Sequence, residues 1–151
     1  MKTNSQTLED IAKALVAPEK GILAADESAN TCDKRFDAHG IPKTEEMRRQ
    51  WRQLLFTTPG IEKGLSGVIL FDETMRQKAD DGIALPQLLD RRGILPGIKV
   101  DEGLKPFIGS PEEKVTEGLG GLSGRLGGYH ALGARFAKWR AVITIAKGLP
   151  T

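Results

Sequence analysis

The stretch FAKWRAV, Phe136 to Val142, sets two cations inside what otherwise reads as an apolar strand. Side chains alternate between the two faces of a strand, so Phe136, Lys138 and Arg140 share one face and Ala137, Trp139 and Ala141 the other. In an open two-layer sheet the Ala-Trp-Ala face would meet the core and the cations would be solvated, as edge strands often carry lysine. In a closed barrel one face meets the outer helices and the other fills the interior. Ala-Trp-Ala suits the helix side, which turns Lys138 and Arg140 inward. Unpaired buried ions cost several kcal/mol each, so inward cations require a functional demand.

A second stretch raises the complementary question. GILAADES, Gly21 to Ser28, runs from apolar and small residues straight into Asp26 and Glu27. Acids are rarely buried without a partner, so either the strand surfaces there or Asp26 meets a cation. Glu27 reads as a helix-start or salt-bridge residue. In a (β/α)8 barrel, functional groups gather at the C-terminal ends of the strands, and Asp26, Asp72, Lys99 and Lys138 all fall at or near such ends.

The rest of the chain supplies the strands and helices that such a barrel needs. Thr7 is placed to cap a helix whose apolar face is Leu8, Ile11, Ala12, Leu15 and Val16, ending before Pro18. GILAA is the first strand. A short helix is expected from about Thr31 to Gly40, and another from Thr44 with Met47, Trp51, Leu54 and Leu55 as its core face. SGVILF, Ser66 to Phe71, is the second strand. Pro86 suits the first turn of a helix that Gly93 closes. A third strand is expected around Ile98 to Val100, and the fourth and longest over Phe136 to Ala146. Between them Leu119, Leu122, Leu126 and Tyr129 are spaced for a helix that its seven glycines weaken, each at about 1 kcal/mol relative to alanine. The G-x-G-x-x-G dinucleotide pattern fails there, because position 123 is serine and no strand leads into it. Strands alternating with helices argue for parallel β/α units. The closing KGLPT reads as a chain cut before its next helix.

Composition narrows the function classes. With 151 residues, 39% hydrophobic and 28% charged, the chain suits one globular domain. A net charge of +2 predicts no general affinity for nucleic acid or anionic membrane. One cysteine, Cys32, fits a reducing compartment. The polar amino terminus reads as no signal peptide, and no apolar run approaches the roughly 20 residues that cross a bilayer. A cytoplasmic location follows as the expectation. His39 and His130 stand alone and do not make a typical zinc site; no cofactor is expected.

Five motifs in series, GILAADES, GVILFDET, QKADDG, GIKVDEG and FAKWRAV, resemble the successive strand-and-loop signatures of class I fructose-1,6-bisphosphate aldolase. The resemblance runs over nearly the whole chain and implies a TIM (β/α)8 barrel, of which about the first four β/α units are present: residues 1–151 as the N-terminal half, with no second domain. It implies cleavage of fructose 1,6-bisphosphate through a Schiff base. By the same resemblance Asp26 assists proton transfer, Lys99 and Lys138 hold substrate oxygens and keep Asp26 ionised, and Arg140, Arg35 and Arg48 contact substrate or its phosphates. Arginine's fork suits phosphate oxygens. The complete family protein is expected to be a tetramer.

The departures from the family matter equally. The Schiff-base lysine belongs to a sixth strand, and without it there is no covalent electron sink for carbon–carbon cleavage; the chain alone is expected to be inactive. Lys138 offers a substitute in principle, since the neighbouring Arg140 favours a free amine and transaldolase uses a strand-four lysine in a similar arrangement. An open half-barrel would expose strand edges, AVITIA among them, and so self-associate. The alternatives to an aldolase are a non-catalytic phosphosugar-binding module and a purely structural half-domain.

Overall fold

A computed structural model describes residues 7–151. The reading of the amino terminus as lacking a signal segment falls largely on residues 1–6, outside the described residues. Thr7 caps α1 (Leu8–Leu15) in a reciprocal box: its hydroxyl accepts from the Asp10 amide at 3.1 Å, and the Asp10 carboxylate accepts from the Thr7 amide at 3.0 Å. β1 (Gly21–Ala25), α2 (Ala29–Asp37), α3 (Glu45–Thr57), α4 (Ile61–Gly64), β2 (Leu65–Leu70), α5 (Asp72–Arg76), α6 (Leu85–Arg91) and β3 (Leu95–Lys99) follow in order. Then come β4 (Leu104–Phe107), β5 (Ser110–Thr116), α7 (Leu122–Ala131) and β6 (Phe136–Lys138).

The strands β1, β2, β3 and β6 form one parallel sheet in that order. It is an open arc of a barrel wall, and its outer face carries the core. Phe56 of α3, Met75 of α5, and Leu85 and Leu89 of α6 pack with Val68, Leu70 and Ile98 of the strands. Trp139 adds to this cluster, as a helix-side residue should. The inner face is filled by aromatic and aliphatic groups. A Cβ on Gly97 would lie 2.3 Å from the Phe136 ring, and one on Gly67 2.8 Å from Leu15. Both strand glycines therefore make room for what plugs the interior, Phe136 from β6 and Leu15 from α1. Pro96 is tolerated inside β3 because its carbonyl accepts from the Arg135 amide at 2.8 Å. Its missing N–H faces the same neighbour, ahead of the point where β6 begins.

Three expectations are corrected. The fourth strand is the shortest of the parallel set, not the longest: it ends at Lys138, whose register partner Lys99 is the last residue of β3. Beyond that pair the chain has no ladder to join, and Val142, Ile143 and Ile145 are exposed. The core face of α3 is Arg52 and Phe56, while Trp51 and Leu54 are 38% and 61% exposed. Met47 and Leu55 are half-buried, and Leu55 packs against the core cluster as expected. The third strand begins earlier than expected, at Leu95, and the residues after it form the antiparallel β4–β5 hairpin, a segment to which the sequence assigned no element. No residue of α1 is fully buried.

Candidate active-site cleft

At the C-terminal ends of the parallel strands lies a cleft of about 610 Å³. Its walls include Asp26 beyond β1, Asp72 at the start of α5, Lys99 at the end of β3, Asp101 just after it, and Lys138 and Arg140 at and beyond the end of β6. The two cations of FAKWRAV, Lys138 and Arg140, are thus in the cleft, and the question raised by Asp26 has an answer. Lys138 Nζ donates to Asp26 Oδ2 at 2.8 Å, joining residues 112 apart in the sequence. The Asp26 side chain is 12% exposed and that of Lys138 32%, so the pair is screened from water on one side only.

Lys99 does not converge on Asp26, contrary to expectation. Its Nζ donates to Oδ2 of Asp101 at 2.7 Å and to the Asp101 carbonyl at 2.8 Å. Lys99 and Lys138 are register partners on neighbouring strands, and a separate carboxylate for each relieves their mutual repulsion. Burial opposes ionisation of Asp101 and is the largest single influence on it. The Lys99 ammonium, the charge of Lys138 and the Arg140 backbone amide together outweigh that burial and hold the carboxyl below its ordinary range. On the opposite wall the Arg76 guanidinium, helped by the Tyr129 hydroxyl, holds Asp72 below the usual carboxylate range. Burial, more than the neighbouring Asp72, pushes the Tyr129 phenol up.

Of the three arginines expected to meet phosphate, only Arg140 lines the cleft. Its carbonyl accepts from the Thr116 hydroxyl at 2.7 Å, and among the described residues its guanidinium engages no carboxylate. Arg35 lies on α2, 63% exposed, paired with Glu27. Arg48 lies on α3 and is 13% exposed. It grips Glu73 in a two-pronged contact of 2.8 and 2.7 Å and Asp33 at 3.0 Å. The Glu73 hydrogen bonds are the main reason its guanidinium is held more firmly charged than usual.

Two arginines that the sequence reading passed over complete the surroundings. Arg52 is 2% exposed and reaches Glu27 twice: Nη2 donates to the carbonyl at 3.0 Å, and Nη1 lies 3.0 Å from Oε2 without hydrogen-bond alignment. Glu27 is therefore clasped from α2 and α3 together, which fixes the backbone next to Asp26. Arg125 of α7 donates from Nη1 to the Val100 carbonyl at 2.9 Å and from Nη2 to the Gly118 carbonyl, tying the hairpin's base to the cleft wall. Among the described residues no three His, Cys, Asp or Glu side chains are grouped to hold a metal ion.

Parallel strands in barrel order, with paired lysines and carboxylates at their C-terminal ends, mark the chain as part of a (β/α)8-barrel protein. A family model described as fructose-bisphosphate aldolase class-I matches residues 7–151. The probable class 1 fructose-bisphosphate aldolase of Xanthomonas campestris pv. campestris is 55% identical over 146 residues, 97% of this chain and 44% of that protein. The fructose-bisphosphate aldolase of Drosophila melanogaster is 50% identical, over 95% of this chain and 40% of its own length. A solved structure of the Plasmodium falciparum fructose-bisphosphate aldolase superposes with a TM-score of 0.90 at 49% identity, covering 93% of this chain and 41% of that one. The chain belongs to the class I fructose-bisphosphate aldolase family, and it spans less than half the length of these relatives.

Proposed function

We propose that this chain forms the substrate-gripping half of a class I fructose-bisphosphate aldolase, the cytoplasmic enzyme that cleaves fructose 1,6-bisphosphate to dihydroxyacetone phosphate and glyceraldehyde 3-phosphate. The observation that carries this reading is the Asp26–Lys138 pair, 2.8 Å apart at the strand ends, with Arg140 beside it in the same cleft. In this reading Asp26 moves a proton at the reacting carbons. Lys138 holds that carboxylate ionised and, with Lys99, donates to sugar oxygens. Arg140 binds a phosphate through its fork. Arg35 joins it only by leaving Glu27, and Arg48 braces α3 against α5 instead of touching substrate. The Schiff-base lysine belongs to a sixth strand, outside the four parallel strands here, so the chain binds the sugar bisphosphate without turning it over. The complete protein is a homotetramer in this reading.

Calorimetric titration of the chain with fructose 1,6-bisphosphate tests the reading. Saturable one-to-one binding is expected, weakened at least tenfold in Arg140→Met, a loss of about 1.4 kcal/mol or more. Binding that is absent, or indifferent to Arg140, would overturn it. A second reading, a half-barrel that mainly self-associates, draws on the open sheet edges and the exposed Val142, Ile143 and Ile145.

A further inference from the structure

Two arginines share one carboxylate just beyond β1, and they stand in opposite surroundings. Glu27 lines the cleft beside Asp26, and its side chain is 16% exposed. Its Oε1 accepts from Arg35 Nη1, and its Oε2 faces Arg52 Nη1 at 3.0 Å. Arg35 is 63% exposed on α2, one turn beyond Thr31, which also lines the cleft. Water can solvate its guanidinium as soon as it lets go. Arg52 is 2% exposed, and among the described residues it meets no carboxylate but Glu27. Its Nε and Nη1 are buried without hydrogen-bond partners, as is Glu27 Oε2. This contact therefore acts through charge. Breaking it would strand two buried ions, which is far costlier than releasing an exposed arginine to water. Local structure does not require it. Arg52 Nη2 already ties α3 to the β1 end by donating to the Glu27 carbonyl at 3.0 Å.

We propose that Arg52 is a positioning residue: as the fixed counter-ion of Glu27 it keeps that carboxylate neutralised, so that Arg35 is free to exchange Glu27 for a phosphate of the substrate at the cleft margin. The proposal deepens the phosphosugar reading given above and rests on it. Arg52 touches no substrate; it sets how easily Arg35 leaves. Without it, Arg35 would be the sole partner of a mostly buried carboxylate and would be held there.

The test follows the arginine Nε resonances of the nitrogen-15-labelled chain as fructose 1,6-bisphosphate is added. In the wild-type chain Arg35 and Arg140 both move. In Arg52→Met, Arg35 stays on Glu27 and affinity falls about fivefold, the worth of one exposed ion pair. When Glu27→Gln is added to Arg52→Met, nothing holds Arg35, and its movement and the affinity both return. A merely structural role for Arg52 predicts no such recovery, because the double variant lacks the same buried contact. An Arg35 that stays still in the wild-type chain while Arg140 moves would overturn the proposal, whether or not the variants fold. So would a folded Arg52→Met chain of unchanged affinity, or a folded double variant that stays weak. Silence of Arg35 and Arg140 together would strike the phosphosugar reading alone. Exchange of the Arg35 guanidinium protons with water, measured without ligand, then judges Arg52. Slowing by about fivefold is expected in Arg52→Met, and an unchanged rate would overturn the proposal.

Discussion

Asp101 ties cleft chemistry to stability in a way that pH exposes. Its carboxyl is held below the ordinary value of 3.8 in the fold, so the folded state binds the proton less readily than the unfolded chain. That stabilisation is fully present above the ordinary value and is lost as the pH falls through the lowered one. Thermal melts recorded as the pH is taken down from about 4 should show a falling Tm, with a shallower fall in Asp101→Asn; equal slopes would remove Asp101 from the acid transition. At this scale the sequence was legible where strand alternation applied. Asp26, Lys99, Lys138 and Arg140 all reached one cleft because each lies at or just beyond a strand end. The pairing was not legible, since alternation gives a face but not which carboxylate a flexible lysine will meet. Arg35 and Arg48 were placed by resemblance alone, and their carboxylate partners Glu27, Glu73 and Asp33 hold them elsewhere. Arg52 was missed because a buried arginine in a helix reads as a surface position; the signal available was the unpartnered Glu27 beside Asp26.

Among the elements, α7 is the one whose composition opposes its conformation. Gly124, Gly127 and Gly128 lie within Leu122–Ala131, and a Cβ on any of them would meet no atom within 4 Å. None has a positive φ, so replacing all three by alanine should stabilise the chain by roughly 2–3 kcal/mol, at about 1 kcal/mol each. Denaturant unfolding checks this, and an unchanged midpoint would mean that α7 is already melted in the transition. The glycines weakened the helix without hiding it, because Leu122, Leu126 and Tyr129 keep helical spacing. The fourth strand misled for the opposite reason. AVITIA has strong strand propensity, but a strand exists only against a neighbour, and β3 ends where β6 does. In α3 the evenly spaced Trp51 and Leu54 pointed away from the core cluster, with Trp51 bordering an apolar hollow against Phe36 and Ile41 of the α2 side.

At the level of the whole molecule, a barrel wall of four parallel strands leaves β1 and β6 as open edges. Leu8, Val16 and Ile22 are exposed near one margin of the chain and Val142, Ile143 and Ile145 near the other. Open edges with apolar flanks invite pairing with another chain, so sedimentation at micromolar concentration should show self-association; a clean monomer would refute this. The architecture itself was readable from strand–helix alternation and from five motifs in family order, while the two cations of FAKWRAV alone left an open sheet and a barrel both in play. Its hairpin was not, because LKPF and SPEEKVT lack the alternating apolar pattern by which a hairpin announces itself. The proposed division of labour is that Lys99 and Lys138 hold oxygens while the carbon-attacking lysine belongs elsewhere in the barrel. Borohydride reduction of the chain with dihydroxyacetone phosphate, read by intact mass and peptide mapping, addresses it. An unchanged mass is predicted, and a stable adduct on Lys138 or Lys99 would contradict it.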